Sequence, residues 1–327
     1  MDRREFIALV GVATVAWPSR GFAQTKDKVY RLGTLTPGMP LSANSPLAAI
    51  LLAALAERGY RLGQNLAYDA RGAAGQLARL PDLFQDFKAS GVDAVVTVGY
   101  PTAAAAKQSG LATVIAYGAG DPLATGLVAS LAHPGGNLTG ISDDSTALST
   151  KRLALLKQMS PKLQKVAMLW NRDDLGMSMR YDASAKAARA LGVTVQPLGV
   201  REPNDFGGVF EAMDREKPDA ILMVSDSLTV LNRKRVFDYA IAKRLPAIYE
   251  YDMMVRDGGL MSYGPDLKES FQRTAALVDG IFKGTKPSDL PFEQPTRYLF
   301  VINLKIAKEI GLDIPPMLVA LADEVIE

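Results

Sequence analysis

From residue 28 on, short β-branched apolar runs alternate with longer stretches whose apolar residues recur three and four apart, and this rhythm restricts the fold more than any other feature. The first kind of run predicts buried strands at Val29–Leu35, Ala94–Val98, Thr113–Tyr117, Val166–Trp170, Ala220–Val224 and Ala247–Tyr249. The second kind predicts helices at Pro46–Arg58, Leu80–Ala89, Met177–Leu191, Thr229–Lys243 and Glu269–Phe282. Strand–helix alternation means parallel sheets with helices on both faces, and strands buried on both sides read as continuously apolar. The order of elements also repeats. Asp93-Ala94-Val95-Val96-Thr97-Val98 is matched by Asp219-Ala220-Ile221-Leu222-Met223-Val224, and Ala112 to Tyr117 by Pro246 to Tyr249. Two α/β lobes of like topology follow, a size that suits 327 residues.

Turn residues mark where one lobe passes to the other. His133-Pro134-Gly135-Gly136-Asn137 precedes a helix near Ser149, Asp257-Gly258-Gly259 to Pro265 forms a second cluster, and Lys286 to Pro295 a third. The expected division is residues 28–141 plus 264–290 in lobe one and 142–263 plus 291–327 in lobe two, two Rossmann-like lobes with parallel sheets joined by a three-segment hinge. Residues 1–23 read as an export signal: Arg3-Arg4, the apolar run Ala8–Trp17, Pro18, and a small-residue end at Ala23 where cleavage is expected. Ten apolar residues are too few to span a bilayer. The arginine pair looks like a twin-arginine signal, which points to a periplasmic product.

Composition removes much chemistry. There are no cysteines and one histidine, His133, so thiol nucleophiles, Cys zinc sites and multi-His metal clusters drop out, and no metal is expected. Lys and Arg number 37 against 35 Asp and Glu, which leaves no basic footprint for nucleic acid. Gly118-Ala119-Gly120-Asp121 lacks the third glycine of a dinucleotide loop, so no cofactor is expected. No catalytic pair or nucleophile elbow is legible, and a non-enzyme is the favoured reading; a secreted Rossmann-like enzyme is the alternative.

In open parallel sheets a ligand binds beyond the carboxyl ends of the strands. Those ends carry the candidate ligand-binding residues Thr36, Tyr100, Pro101, Thr102, Tyr117, Asn171, Ser225, Asp226, Tyr249 and Glu250. Tyr100, Tyr117 and Tyr249 are expected to enclose an apolar body. Thr102 and the amides of the helix that starts there are expected to hold a carboxylate, with Thr102 also readable as a simple cap. Asn171, Ser225, Asp226 and Glu250 would read the far side, Asp226 also being a natural helix cap.

Several segments, taken together, resemble one family. They are Leu55-Ala56-Glu57-Arg58-Gly59-Tyr60 with Gly63-Gln64-Asn65, Gly120-Asp121-Pro122, Pro134-Gly135-Gly136-Asn137-Leu138-Thr139-Gly140, Gly258-Gly259-Leu260-Met261-Ser262-Tyr263-Gly264 and Val301-Ile302-Asn303-Leu304-Lys305. Throughout residues 24–327 the chain is similar to the ABC-importer substrate-binding proteins of the tryptophan/tyrosine type. The resemblance implies a type I periplasmic binding protein fold, a small aromatic or amino-acid-like ligand bearing a carboxylate, and a membrane permease as partner, with the receptor a monomer. The family usually has arginine where this chain has His133 and Leu321, both outside the presumed cleft.

Overall fold

The computed structural model describes residues 28–142 and 145–327, so the export signal expected at residues 1–23 lies outside the described residues. The first sheet is built from β1 (Tyr30–Thr36), β2 (Leu66–Gly72), β3 (Ala94–Val98), β4 (Thr113–Tyr117) and β5 (Leu138–Gly140), in the order β2-β1-β3-β4-β5, all parallel. Its connecting helices are α1 (Pro46–Glu57), α2 (Leu80–Ala89) and α3 (Tyr100–Ser109). After α4 (Ser145–Met159), the second sheet takes β6 (Lys165–Asn171), β7 (Thr194–Val200), β8 (Ala220–Met223), β9 (Ala247–Tyr249), β10 (Met261–Pro265), β11 (Tyr298–Asn303) and β12 (Glu324–Ile326). Their order is β12-β11-β10-β9-β8-β6-β7, parallel except between β10 and β11. The remaining helices are α5 (Leu175–Ala190), α6 (Asp205–Glu216), α7 (Ser227–Leu231), α8 (Arg233–Ala242), α9 (Asp252–Arg256), α10 (Leu267–Phe282), α11 (Leu304–Glu309) and α12 (Pro316–Leu321).

The two-residue period of a strand divides each apolar run between two cores. In β3, Ala94 and Val96 join a cluster with Leu51 and Leu55 of α1 and Phe271 of α10, while Val95 faces Phe84 and Phe87 of α2. In β8, Ala220 and Leu222 pack with Leu153 of α4, and Ile221 and Met223 with Phe206 of α6 and Phe237 of α8. Both sheets are therefore sandwiched between helices, as the alternation predicts.

Three segments run between the sheets. Ser142 N donates to Glu293 O at 2.8 Å, so the first and third lie side by side. The second leads from β10, paired in the second sheet, into α10, whose Phe271, Ala275 and Val278 pack in the core of the first. Asp266 N donates to Arg297 O at 3.0 Å, which ties the second segment to the third. Gly264 and Pro265 remain paired with Leu299 and Tyr298, inside the second sheet.

Some details differ from the sequence reading. The strand β5 falls in a stretch read as turns, because three residues between Asn137 and Ile141 give no periodicity, yet they pair with β4 as an edge. The short edge strand β12 was equally illegible. The helix expected across Thr229–Lys243 is broken at Asn232, which ends α7 and begins α8, its Nδ2 donating to Leu228 O at 2.9 Å. An asparagine amide competes with backbone pairing in this way.

Candidate functional site

The carboxyl ends of the strands in the two sheets face each other across a cavity of about 480 Å³. From the first sheet come Thr36 after β1, Val98 and Gly99 after β3, and Tyr117 and Gly118 at β4. A register shift between Thr97 and Val98 sets Val98 opposite Tyr117 at this end, the kind of irregularity that re-aims a side chain at a strand tip. From the second sheet come Asn171, Ser225 and Asp226, with Tyr251 beyond β9. The walls are largely apolar, with Met39, Leu77, Pro101, Leu228 and Met253 among them.

The halves touch on both flanks of this cavity. The Tyr117 and Tyr251 rings meet edge-on with centroids 5.4 Å apart. A methyl group placed on Gly176, in the first turn of α5, would lie 3.3 Å from Ala119 O and from Tyr100 Cβ, so any side chain there presses on the other lobe. Gly38 faces Ser227 and Leu231, 3.7 Å from where its Cβ would stand.

At one end of the cavity lies a polar cluster. Asn171 Nδ2 donates to Asp226 Oδ2 at 2.6 Å, and Asp226 Oδ1 accepts the Thr229 amide at 2.9 Å as the cap of α7. Asp174 caps α5, its Oδ1 accepting Met177 N at 3.2 Å, and is only 2% exposed. Burial, with the Asp226 charge next, raises the Asp174 carboxyl to about 7, partly opposed by the Met177 amide and Arg180. Ser225 Oγ is buried without a hydrogen-bond partner in the cavity wall. Such a hydroxyl is costly unless a ligand or water completes it. Burial also pushes the Tyr117 phenol up to about 12, so it stays a neutral hydroxyl. Among the described residues no group of three His, Asp or Glu side chains is placed to hold a metal ion.

Of the residues expected from sequence, Thr36, Pro101, Tyr117, Asn171, Ser225 and Asp226 line the cavity. Four others stand elsewhere. Tyr100 packs against Gly176 at the flank. Thr102 is fully buried, its hydroxyl turned back to donate to Val98 O and to Gly99 O at 3.0 Å, as a helical threonine readily does. Tyr249 lies in the second sheet's core, edge-on to Phe237 at 5.1 Å, whereas Tyr251, past the end of β9 in the turn that begins α9, reaches the cavity wall. Glu250, 1% exposed, accepts from Arg152 Nη1 at 3.0 Å, Arg180 Nη1 at 2.7 Å and Ser225 N at 3.0 Å, beneath the cavity wall. Arg152 Nε in turn donates to Tyr263 O at 2.7 Å. The lining also includes Asp174, Tyr251 and Gln76, which the sequence reading did not select. A helix-start signal, an aspartate just ahead of the α5 pattern, could have found Asp174.

The chain matches the family model described as ABC transporter substrate binding protein over residues 47–326, and it belongs to that family. Its fold is that of type I periplasmic binding proteins, and its role is to bind a solute for an ABC transporter. It is similar to the "Tyrosine-binding protein" of Clostridioides difficile (strain R20291), 24% identical over 260 residues that cover 79% of this chain and 74% of that protein. Among solved structures it resembles a conserved domain protein from Vibrio cholerae, 23% identical, with a TM-score of 0.84 over 91% of this chain and all of that one. It also resembles the ABC domain in complex with L-Trp from Streptococcus pneumoniae, 26% identical, with a TM-score of 0.81 over 91% of this chain and 99% of that one.

Proposed function

We propose that this substrate-binding protein captures a small aromatic compound of the amino-acid type, carrying an ammonium group, and presents it in the closed form to the membrane permease of an importer. The observation that carries the reading is the make-up of the closed cavity: apolar walls with Tyr117 and Tyr251, and Asn171, Asp174, Ser225 and Asp226 gathered at one end. Its volume of about 480 Å³ falls in the ordinary range for small-molecule sites. Burying one aromatic ring of about 150 Å² at about 25 cal/mol/Å² contributes roughly 4 kcal/mol. Micromolar affinity needs about 8 kcal/mol, and charge-assisted hydrogen bonds from carboxylates to an ammonium group would supply much of the difference. The backbone amides at the start of α3 are the candidate holder of a ligand carboxylate, with Gly99 and Pro101 in the wall beside them. The names of the relatives, one for tyrosine and one solved with L-Trp, support the same ligand class.

In this reading residues 28–141 with 266–290 and residues 142–265 with 291–327 are the two lobes, Gly264 and Pro265 going with the second sheet in which they pair, the three linking segments act as the hinge, and ligand contacts from both lobes shift the population to the closed form. The receptor is a monomer delivered to the periplasm by the signal at residues 1–23 and does no chemistry on its guest. The test is titration calorimetry with L-tyrosine and L-tryptophan beside analogues that lack the amine. Micromolar binding of the amino acids with at least tenfold loss for the des-amino compounds is expected; equal affinity for both sets overturns the reading.

A further inference from the structure

The polar end of the cavity holds two carboxylates with opposite fates. Asp226 is engaged by Asn171 Nδ2 and by the amide and hydroxyl of Thr229. Asp174 is 2% exposed and caps α5, whose Gly176 packs closely against Ala119 and Tyr100 of the first lobe. Beside them the unpartnered Ser225 Oγ marks a position where a ligand donor or acceptor belongs. Resting on the ligand reading above, we propose that Asp174 carries a proton in the ligand-free protein and loses it to solvent when the ligand's ammonium group docks between Asp174 and Asp226, so that capture is coupled to the release of one proton.

The charge count supports the exchange. Before capture the pair carries one negative charge, on Asp226; after it, two negative carboxylates surround one ammonium and one proton has left, so the net charge of this polar end is unchanged. A buried site resists a change in net charge far more than it resists an exchange of cations. The other charged groups around Asp174 are already committed. Arg180, on the same helix, donates to Glu250 of the β9 end, which Arg152 of α4 also holds. At the rim, Asp173 accepts from Arg201 after β7, and Glu202 follows it in the cavity wall. Beside it in the first turn of α5, Gly176 meets Tyr100, Ala119 and Gly120 of the first lobe, which carry no charge. The raised Asp174 carboxyl, near 7, agrees with a group held neutral until a cation arrives.

The test has a ligand-free and a ligand-bound arm. In the ligand-free protein, carbon-detected NMR of labelled aspartate should show a carboxyl titrating near neutrality that disappears in Asp174→Asn and moves down in Asp226→Asn. Calorimetry with L-tyrosine, tyramine and 3-(4-hydroxyphenyl)propionate, repeated in buffers of different ionisation enthalpy, should show proton release approaching one per site for the two amines below pH 7 and none for the des-amino acid. L-tyrosine affinity should fall about tenfold per pH unit below neutrality and be flat in Asp174→Asn. Tyrosine binding without proton release, or release that survives Asp174→Asn, overturns the coupling while the ligand reading stands. A near-neutral carboxyl with none of the three compounds bound overturns the ligand reading and the displacement with it.

Discussion

At the residue scale, side chains adjacent in sequence have been sent to different tasks. Tyr249, Glu250 and Tyr251 follow one another, yet the first is core, the second a buried counter-ion and the third cavity wall. Truncating them should separate these roles. Tyr251→Ala is expected to weaken ligand affinity about tenfold or more, whereas Tyr249→Ala, away from the cavity, should cost about 3–5 kcal/mol in denaturant unfolding. Glu250→Gln leaves two guanidinium groups facing a neutral amide and should destabilise the fold by about 3–5 kcal/mol; an unfolding midpoint equal to that of the wild type would refute the buried pairing. The sequence showed that polar and aromatic residues crowd this strand end, but not which of three neighbours faces the ligand. That depends on where the strand stops, and a shift of one residue exchanges the two faces.

At the scale of elements, close approaches between backbones control the geometry. Gly264 lies in β10 where a Cβ would stand 1.8 Å from Glu250 O, so β10 and the loop after β9 can meet only with hydrogen at that position. Gly176 plays the corresponding part between lobes, at the start of α5. Gly176→Val is expected to prop the lobes apart, lowering ligand affinity by about tenfold, or ~1.4 kcal/mol, and raising the radius of gyration in ligand-saturated small-angle scattering. A variant that closes and binds as the wild type does would show that this contact does not limit closure. The strand and helix alternation was readable in most elements because each buries two faces or one stripe. The edge strands β5 and β12, three residues each, were not, since such short segments acquire strand geometry only from the neighbour they pair with.

For the whole molecule, the buried carboxyl at the cavity makes stability depend on pH in a direction opposite to that of most aspartates. Asp174 rises from an ordinary value near 4 to about 7 on folding. The folded state therefore binds the extra proton between those values, and the stability this contributes is fully present below about pH 4 and is lost as pH rises through about 7. Asp174→Asn should remove this component, so that the ligand-free variant is more stable than the wild type at pH 8 and the difference shrinks toward pH 5. Thermal unfolding across that range checks it, and a difference that grows toward pH 5 would contradict the assignment. Such a group, Asp174, went unselected in the sequence because an aspartate before a helix is first of all a cap. The amino-acid sequence alone determined the layered α/β architecture and its duplication, because periodicity and turn chemistry are local and are written along the chain, and its turn segments carried the resemblance to the family. Tertiary structure alone decided which strand-end residues surround the cavity, that Glu250 serves two arginines, and that Asp174 is shielded from water. Burial, facing and charge proximity are properties of elements brought together from distant parts of the chain, and no local pattern encodes them.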